Sequence, residues 1–310
     1  MSGPMSIINS KKRLTAAQRD NLFGLGLMVP AILVLGLVVF FPILKGIWMS
    51  FNDYTIETMK NPTWNNFDNY IKLFKSKEIY TYFLNTFVFV FFAVAIQFLI
   101  AMSLALLLNA NLKGQRFFRG VFLMSWTIPS VVVALLWSWM LQPQYGVLNY
   151  IFYHIGIIQD PHMQWVQSPT YAMSSIVVAT IWKQTPYMLV MILAGLQSIS
   201  KDYMEAAEID GANKWRVFRH IMIPSIRPVI ETTILIAIMN NFQMYTIIYN
   251  MTAGGPMNTT TTLSIAAYNK AFTEYDLGAG AAIGVLWLIV LAIFTVISNK
   301  KSDKRNNDYM

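Results

Sequence analysis

The 310-residue sequence has no cysteine, only three histidines and few charges. Without cysteine there is no disulfide framework, no thiolate metal site and no thiol nucleophile. His154 and His162 share one loop with Asp160 as their acidic neighbour, and His220 lies in another, so no metal site is expected. Charged residues make up 12% of the chain, against roughly 25% in a soluble domain. No GxxxxGK[ST] phosphate loop, HExxH helix or GxSxG elbow is present. Without a phosphate loop the chain is not expected to be its own ATP motor, which leaves permeation, signalling or scaffolding.

Apolar residues are what the sequence has in excess, at 55%, with a mean hydropathy of +0.46. A surplus of that size must face something other than water, and lipid is the available solvent. Crossing roughly 30 Å of hydrocarbon takes about 20 mostly apolar residues. Six segments qualify, at about 22–44, 83–108, 121–141, 172–196, 228–249 and 278–298.

Sixteen of the 23 Lys and Arg fall in the two tails and the loops after the second and fourth spans. Six fall in the loops after the first, third and fifth spans, and Lys183 lies inside the fourth. Short loops rich in Lys and Arg stay in the cytoplasm. The expected fold is therefore an all-α integral membrane protein with six transmembrane helices and both termini cytoplasmic. Residues 1–21 form an inner N-terminal tail, 22–298 the membrane domain and 299–310 an inner C-terminal tail. The net charge of +8 then reads as orientation charge, and no nucleic-acid partner is expected. Lys11, Lys12, Arg13 and Arg19 also suit contact with anionic lipid. The full-length first span, behind 21 polar and basic residues, is expected to be retained; a cleaved signal has a shorter apolar core.

The most unusual segment is 199–227, between the fourth and fifth spans. Ser200 is a plausible N-cap, with Asp202 and Glu205 in the first turns, where the helix dipole favours anions. Gly211 suits the left-handed position that ends a helix. A second helix follows, with Ala212, Trp215, Phe218 and Met222 on one face, and Pro224 is expected to stop it. Such an amphipathic element either docks into a partner's groove or lies at the lipid interface. Periodicity does not separate the two.

Glu205-Ala206-Ala207, Gly211 and Ile221-Met222-Ile223-Pro224 resemble the EAA loop of ABC importer permeases, written EAA-x3-G-x9-I-x-L-P, with Ile223 where the pattern has Leu. The longer string Glu205-Ala-Ala-Glu-Ile-Asp-Gly-Ala is similar to the maltose-type carbohydrate branch. Gly114, Phe117-Phe118-Arg119, Pro129, Trp137, Gly146, Asn149, Trp182, Pro186 and Thr252-Ala253-Gly254-Gly255-Pro256 resemble further landmarks of that family. The resemblance runs from about residue 22 to 298.

The resemblance implies the type I importer permease fold in a bacterial plasma membrane. It implies that segment 199–227 is a coupling helix seated in a cleft of a separate ATPase subunit. Glu205, Ala206, Ala207, Asp210 and Gly211 would anchor and shape that joint. Trp215 and Phe218 would either pack against the ATPase or cover the permease's own inner surface. The implied partners are a second, homologous permease, two cytoplasmic ATP-binding subunits and an extracellular substrate-binding protein. ATP and Mg would sit in the partner ATPase, with no cofactor held by this chain.

Polar groups within the spans are costly, about 2.5–3.5 kcal/mol for a central charge on insertion scales, so Lys183 should face the protein interior or a watery path. Glu231 lies only roughly 5 Å into the fifth span and Lys183 roughly 20 Å from the inner end of the fourth, too different in depth to pair. Asn240, Asn241, Gln243, Tyr245, Thr246 and Asn250 make the second half of the fifth span polar, and amides and phenols suit sugar hydroxyls. Through its Trp-x-x-x-Pro and Gly-Gly-Pro landmarks, the maltose-type family implies a sugar path touching Lys183, Gln184, Tyr187, Asn240 and Asn241. These groups either line that path, with Gln243 and Tyr245, or glue helices together.

Lys183 stands where an apolar residue is usual in the maltose system. An anionic or phosphorylated glycoside, or a polyol such as glycerol phosphate, is therefore an alternative substrate to a neutral sugar. A stand-alone secondary transporter is disfavoured, because no acidic residue sits at mid-membrane. In the loop after the first span, Trp64, Phe67, Tyr70 and Phe74 form either a docking surface or a lid on the spans.

Overall fold

The computed structural model describes residues 16–110 and 114–307. Expectations for Lys11, Lys12, Arg13 and the last three residues fall outside that range. The described chain is mostly helical and divides into two units, 1–48 and 49–310.

The first unit is one helical run, α1 (Ala16–Leu35), a π-helical turn over Gly36–Phe40, and the start of α2 (Phe41–Met49). It has no polar side chain from Phe23 to Leu44. The π turn sits directly before Pro42. The Phe41 N–H reaches back to the Gly36 carbonyl, which lets the helix continue past a residue that has no N–H to give.

The second unit opens with a short antiparallel pair, β1 (Asn52–Asp53) and β2 (Thr63–Trp64), and α3 (Asp68–Lys75). Asn69 Nδ2 donates to the carbonyls of Ser50 and Asn52, both at 2.9 Å. The Phe51 ring gathers Trp64, Phe67 and Tyr70 at centroid distances of 5.3 to 5.4 Å. The loop expected to be a docking surface or a lid is packed onto the rest of its unit, Leu73 sharing a buried cluster with Leu263 and Ile283, while Trp64, Phe67 and Phe74 stay exposed on it.

The long helices follow: α4 (Glu78–Asn109), α5 (Gln115–Thr127), α6 (Ser130–Met140), α7 (Val147–His154) and α8 (Ala172–Gln197). Then come α9 (Lys201–Ile209), α10 (Lys214–Val217), α11 (Ile223–Phe242), α12 (Thr246–Thr252), α13 (Leu263–Tyr268) and α14 (Leu277–Asn307). α4 and α8 form the central pair, with α5 and α11 packed on them. Ala101 and Ala105 of α4 and Ala179 of α8 are fully buried in one shared core cluster. Small residues let backbones approach where lipid offers no hydrophobic drive for association.

Among the described residues, five helices are long and apolar enough to cross a membrane, or six if one bent pair counts as a single span. That pair corrects the expectation of an uninterrupted third helix over 121–141. α5 starts earlier, at Gln115, and meets α6 at 97°. The cause is local. Ile128, ahead of Pro129, is extended at φ −68°, ψ 133°, as the proline ring demands of its predecessor.

The fifth expected segment, 228–249, also differs. Pro224 does not stop the preceding helix: α10, a π turn over Phe218–Met222 and α11 run on as one helix from Lys214 to Phe242. The Ile223 N–H reaches back to the Phe218 carbonyl, and Pro224 follows, as at Pro42. The helix breaks instead at Gln243–Tyr245 before α12.

Gly146, just before α7, is required on steric grounds. A Cβ there would lie 2.4 Å from the Gln142 carbonyl oxygen and 2.6 Å from that of Met140. Nearby, Asn149 Nδ2 donates to the Met163 carbonyl at 3.0 Å, and the Trp165 indole N–H donates to Asn149 Oδ1. Gly146→Ala is expected to destabilise the protein by about 1–3 kcal/mol, the usual cost of overpacking. Thermal unfolding of the detergent-solubilised protein checks this through a lowered midpoint.

Candidate functional site

Two places gather the residues singled out in the sequence. The first is a cavity of about 380 Å³ among α4, α5, α8 and α11. Its polar lining comes from Gln97, Trp126, Lys183, Gln184, Tyr187 and Asn240, and its apolar lining includes Met188 and Met244.

Lys183 owes its place there to the break between α5 and α6. The last turn of any helix leaves carbonyls without intrahelical partners, and the helix dipole makes that end partly negative. Lys183 Nζ donates to the carbonyl of Trp126 at 3.0 Å and to that of Ile128. The ammonium therefore caps the broken end of α5 and ties it to α8. Glu231 is elsewhere, in an ion pair with Arg227 one turn away at 2.9 Å.

The expected path residues separate into three groups. Lys183, Gln184, Tyr187 and Asn240 line the cavity. Asn241 is buried behind it, its Nδ2 donating to Gln184 Oε1 at 3.3 Å and to the Ala237 carbonyl at 2.8 Å. Gln243 and Tyr245 do not line the cavity. Gln243 is exposed beside the helix break, and the Tyr245 ring stacks against Tyr249 at 5.0 Å and Tyr268 at 4.9 Å.

Two lining residues escaped the sequence reading. Gln97 is 1% exposed, and its Nε2 has no hydrogen-bond partner. Its signal was available, as an amide near the middle of the mostly apolar 83–108 segment. Trp126 sets its ring 5.9 Å from Tyr187, giving the cavity an aromatic wall. Nothing in its local sequence marked it, because its position depends on the bend that follows.

The second place is the loop between α8 and α11. Ser200 Oγ accepts from the Asp202 N–H at 3.3 Å at the start of α9. The end of α9 closes as the Ala212 N–H reaches the Ala207 carbonyl at 2.9 Å, with Gly211 at φ +72°. Asn213, which the sequence reading passed over, caps α10 by accepting from the Arg216 N–H at 2.8 Å. Glu205, Ala206, Asp210 and Gly211 are exposed, and Ala207 is buried.

The two aromatics of the loop part company. Phe218 and Met222 pack against the main core, whereas Trp215 is 64% exposed, its ring 5.5 Å from Phe218. Both rings line an apolar hollow of about 480 Å³ with Met204, Ala212 and Met222.

Beyond the cavity, the Thr252–Pro256 turn is held by hydroxyls. Thr260 Oγ1 donates to the Gly255 carbonyl and Thr261 Oγ1 to that of Gly254, at 2.8 and 2.9 Å. Asn85 Nδ2 at the start of α4 donates to the carbonyls of Asn258 and Thr261, at 2.9 and 3.1 Å.

Comparison with known proteins adds the following. Residues 97–308 match the family described as the binding-protein-dependent transport system inner membrane component. The trehalose/maltose transport system permease protein MalF of Thermococcus litoralis is 31% identical over 279 residues, covering 90% of this chain and 93% of that protein. The sulfoquinovosyl glycerol transport system permease protein SmoG of Agrobacterium fabrum is 30% identical over 278 residues, covering 90% and 89%. A crystal structure of a bacterial alginate ABC transporter, in complex with an alginate pentasaccharide-bound periplasmic protein, contains a chain of the same fold. Its TM-score is 0.81 at 21% identity, covering 94% of this chain and 98% of that one.

Asn213→Ala is expected to weaken the start of α10 by about 1 kcal/mol, the typical value of a lost N-cap. Limited proteolysis of the purified protein checks this, with faster cleavage between residues 210 and 217 than in the unaltered chain.

Proposed function

The chain belongs to the family of binding-protein-dependent transport system inner membrane components, and from that premise we propose that it is one permease subunit of an ATP-driven importer for a sugar or small oligosaccharide. The Thermococcus litoralis and Agrobacterium fabrum relatives are named for sugars and sugar derivatives, which supports a carbohydrate substrate. A cavity walled by aromatic rings and amides suits such a substrate, since rings stack on sugar faces and amides both donate and accept.

The subunit crosses the plasma membrane six times, with the bent α5–α6 pair counted as one crossing and both termini inside. The excess of Lys and Arg in the tails and two loops supports that orientation. It is not itself a hydrolase and holds no cofactor. ATP and Mg belong to two cytoplasmic ATPase subunits, and a second homologous permease supplies the other half of the path. An extracellular binding protein delivers the sugar.

The observation that carries the mechanism is the unbroken helix from Lys214 to Phe242. Trp215 stands on the exposed loop and Asn240 in the cavity wall, 25 residues apart along that helix. At 1.5 Å per residue this is roughly 37 Å of helix, which runs on past Pro224 and Pro228. A push on the loop by a closing ATPase dimer is thereby delivered to the cavity as a rigid displacement. Alternating access follows when the wall that holds Asn240 moves against the α4–α8 pair.

The joint itself depends on Gly211, whose φ of +72° is closed to proline, fixed near −65°. Gly211→Pro is expected to abolish uptake and substrate-stimulated ATP hydrolysis by the assembled complex while membrane insertion stays normal. Normal uptake by that variant contradicts the coupling role.

A further inference from the structure

We infer that the glycoside taken by this cavity carries an anionic group, a carboxylate, sulfonate or phosphate, received by Lys183 together with the unpartnered Gln97 amide. The inference rests on the permease reading above and deepens it, because it names the substrate class of the same site.

Among the described residues, the cavity lining contains one cation and no Asp or Glu. Two of the three ammonium N–H groups of Lys183 go to the Trp126 and Ile128 carbonyls, which leaves one donor for the cavity. The carbonyl end of a helix offsets only about half an elementary charge, so part of the positive charge stays uncompensated in a low-dielectric wall.

The amides add donors. Gln97 Nε2 is buried and has no partner, an arrangement that is costly unless something in the cavity accepts from it. Gln184 Oε1 accepts from Asn241 Nδ2, and its amide nitrogen adds donors to the lining. Among the buried unpartnered atoms, Asn241 Oδ1 is an acceptor on a residue behind the wall and not in the lining.

A cavity whose described lining holds a cation and amides, with no carboxylate, is matched by a ligand that is polar and negative in charge. A neutral sugar, each of whose hydroxyls brings a donor as well as an acceptor, satisfies the amides and leaves the charge unanswered.

The test uses the full importer in cells or reconstituted with its partner subunits and binding protein. Uptake is measured for matched labelled disaccharides: maltose, its glucuronosyl counterpart and maltose 6-phosphate, and cellobiose with its glucuronosyl counterpart. The expected result is entry of a charged member at least about tenfold faster than its neutral partner, the scale of one charge-assisted hydrogen bond. Whether the uronate or the phosphate enters tells which anion is read.

Lys183→Gln keeps amide N–H groups for the Trp126 and Ile128 carbonyls and removes the charge. It is expected to lower the charged-to-neutral ratio about tenfold, and Lys183→Arg to retain it. A purely structural Lys183 lowers both sugars alike and leaves the ratio unchanged, which overturns the inference. If Lys183→Gln does not assemble, the ratio in the unaltered transporter decides alone. Preference for the neutral member overturns the inference while the importer reading stands. If no sugar of either kind enters or stimulates ATP hydrolysis, both fail.

Discussion

Hydrocarbon offers no hydrogen-bond partner, and that constraint governs where this chain can leave the helix. Three of its irregularities are satisfied from within the protein. At Pro42 and at Pro224 the helix widens into a π turn just beforehand, so that the missing N–H opens no gap in the run. At Pro129 the helix does break, and Lys183 from α8 supplies donors to the carbonyls at the broken end. The most expensive side chain in the membrane and the sharpest bend in the backbone thus satisfy each other.

The same break creates the site. Because α5 turns away at Ile128, Trp126 swings its ring against Tyr187 and closes one wall of the cavity. The opposite wall is built on a helix that does not break, the run from Lys214 to Phe242. One side of the cavity is therefore fixed by a capped bend on the central pair, and the other is continuous with a surface loop.

How much of this was legible in the sequence follows from how local each signal is. Gly211 and Ser200 announce a helix end and a helix start because those positions depend on backbone conformation a few residues away. The apolar stretches announce membrane helices for the same reason. Pro224 misled because a proline's effect depends on whether a π turn precedes it, and periodicity does not reveal the turn. The partners of Lys183 were hidden because they are backbone carbonyls more than fifty residues away, exposed by a bend in another helix. Tyr245 read as a path residue because polarity marks a side chain as non-lipid-facing without saying what it faces; it faces Tyr249 and Tyr268. Gln97 was passed over although an amide near the middle of a mostly apolar helix is itself a signal.

The chain contains no cysteine, so one placed at an exposed position of the loop reports on that position alone. Tyr203, 65% exposed on α9, suits the purpose. With Tyr203→Cys in membrane vesicles of known orientation, a membrane-impermeant maleimide is expected to label only from the cytoplasmic face, and labelling is expected to fall when the ATPase subunits are present. Labelling from the outer face, or labelling indifferent to the ATPase, would contradict a loop that receives ATP-driven motion and passes it along the helix to the cavity.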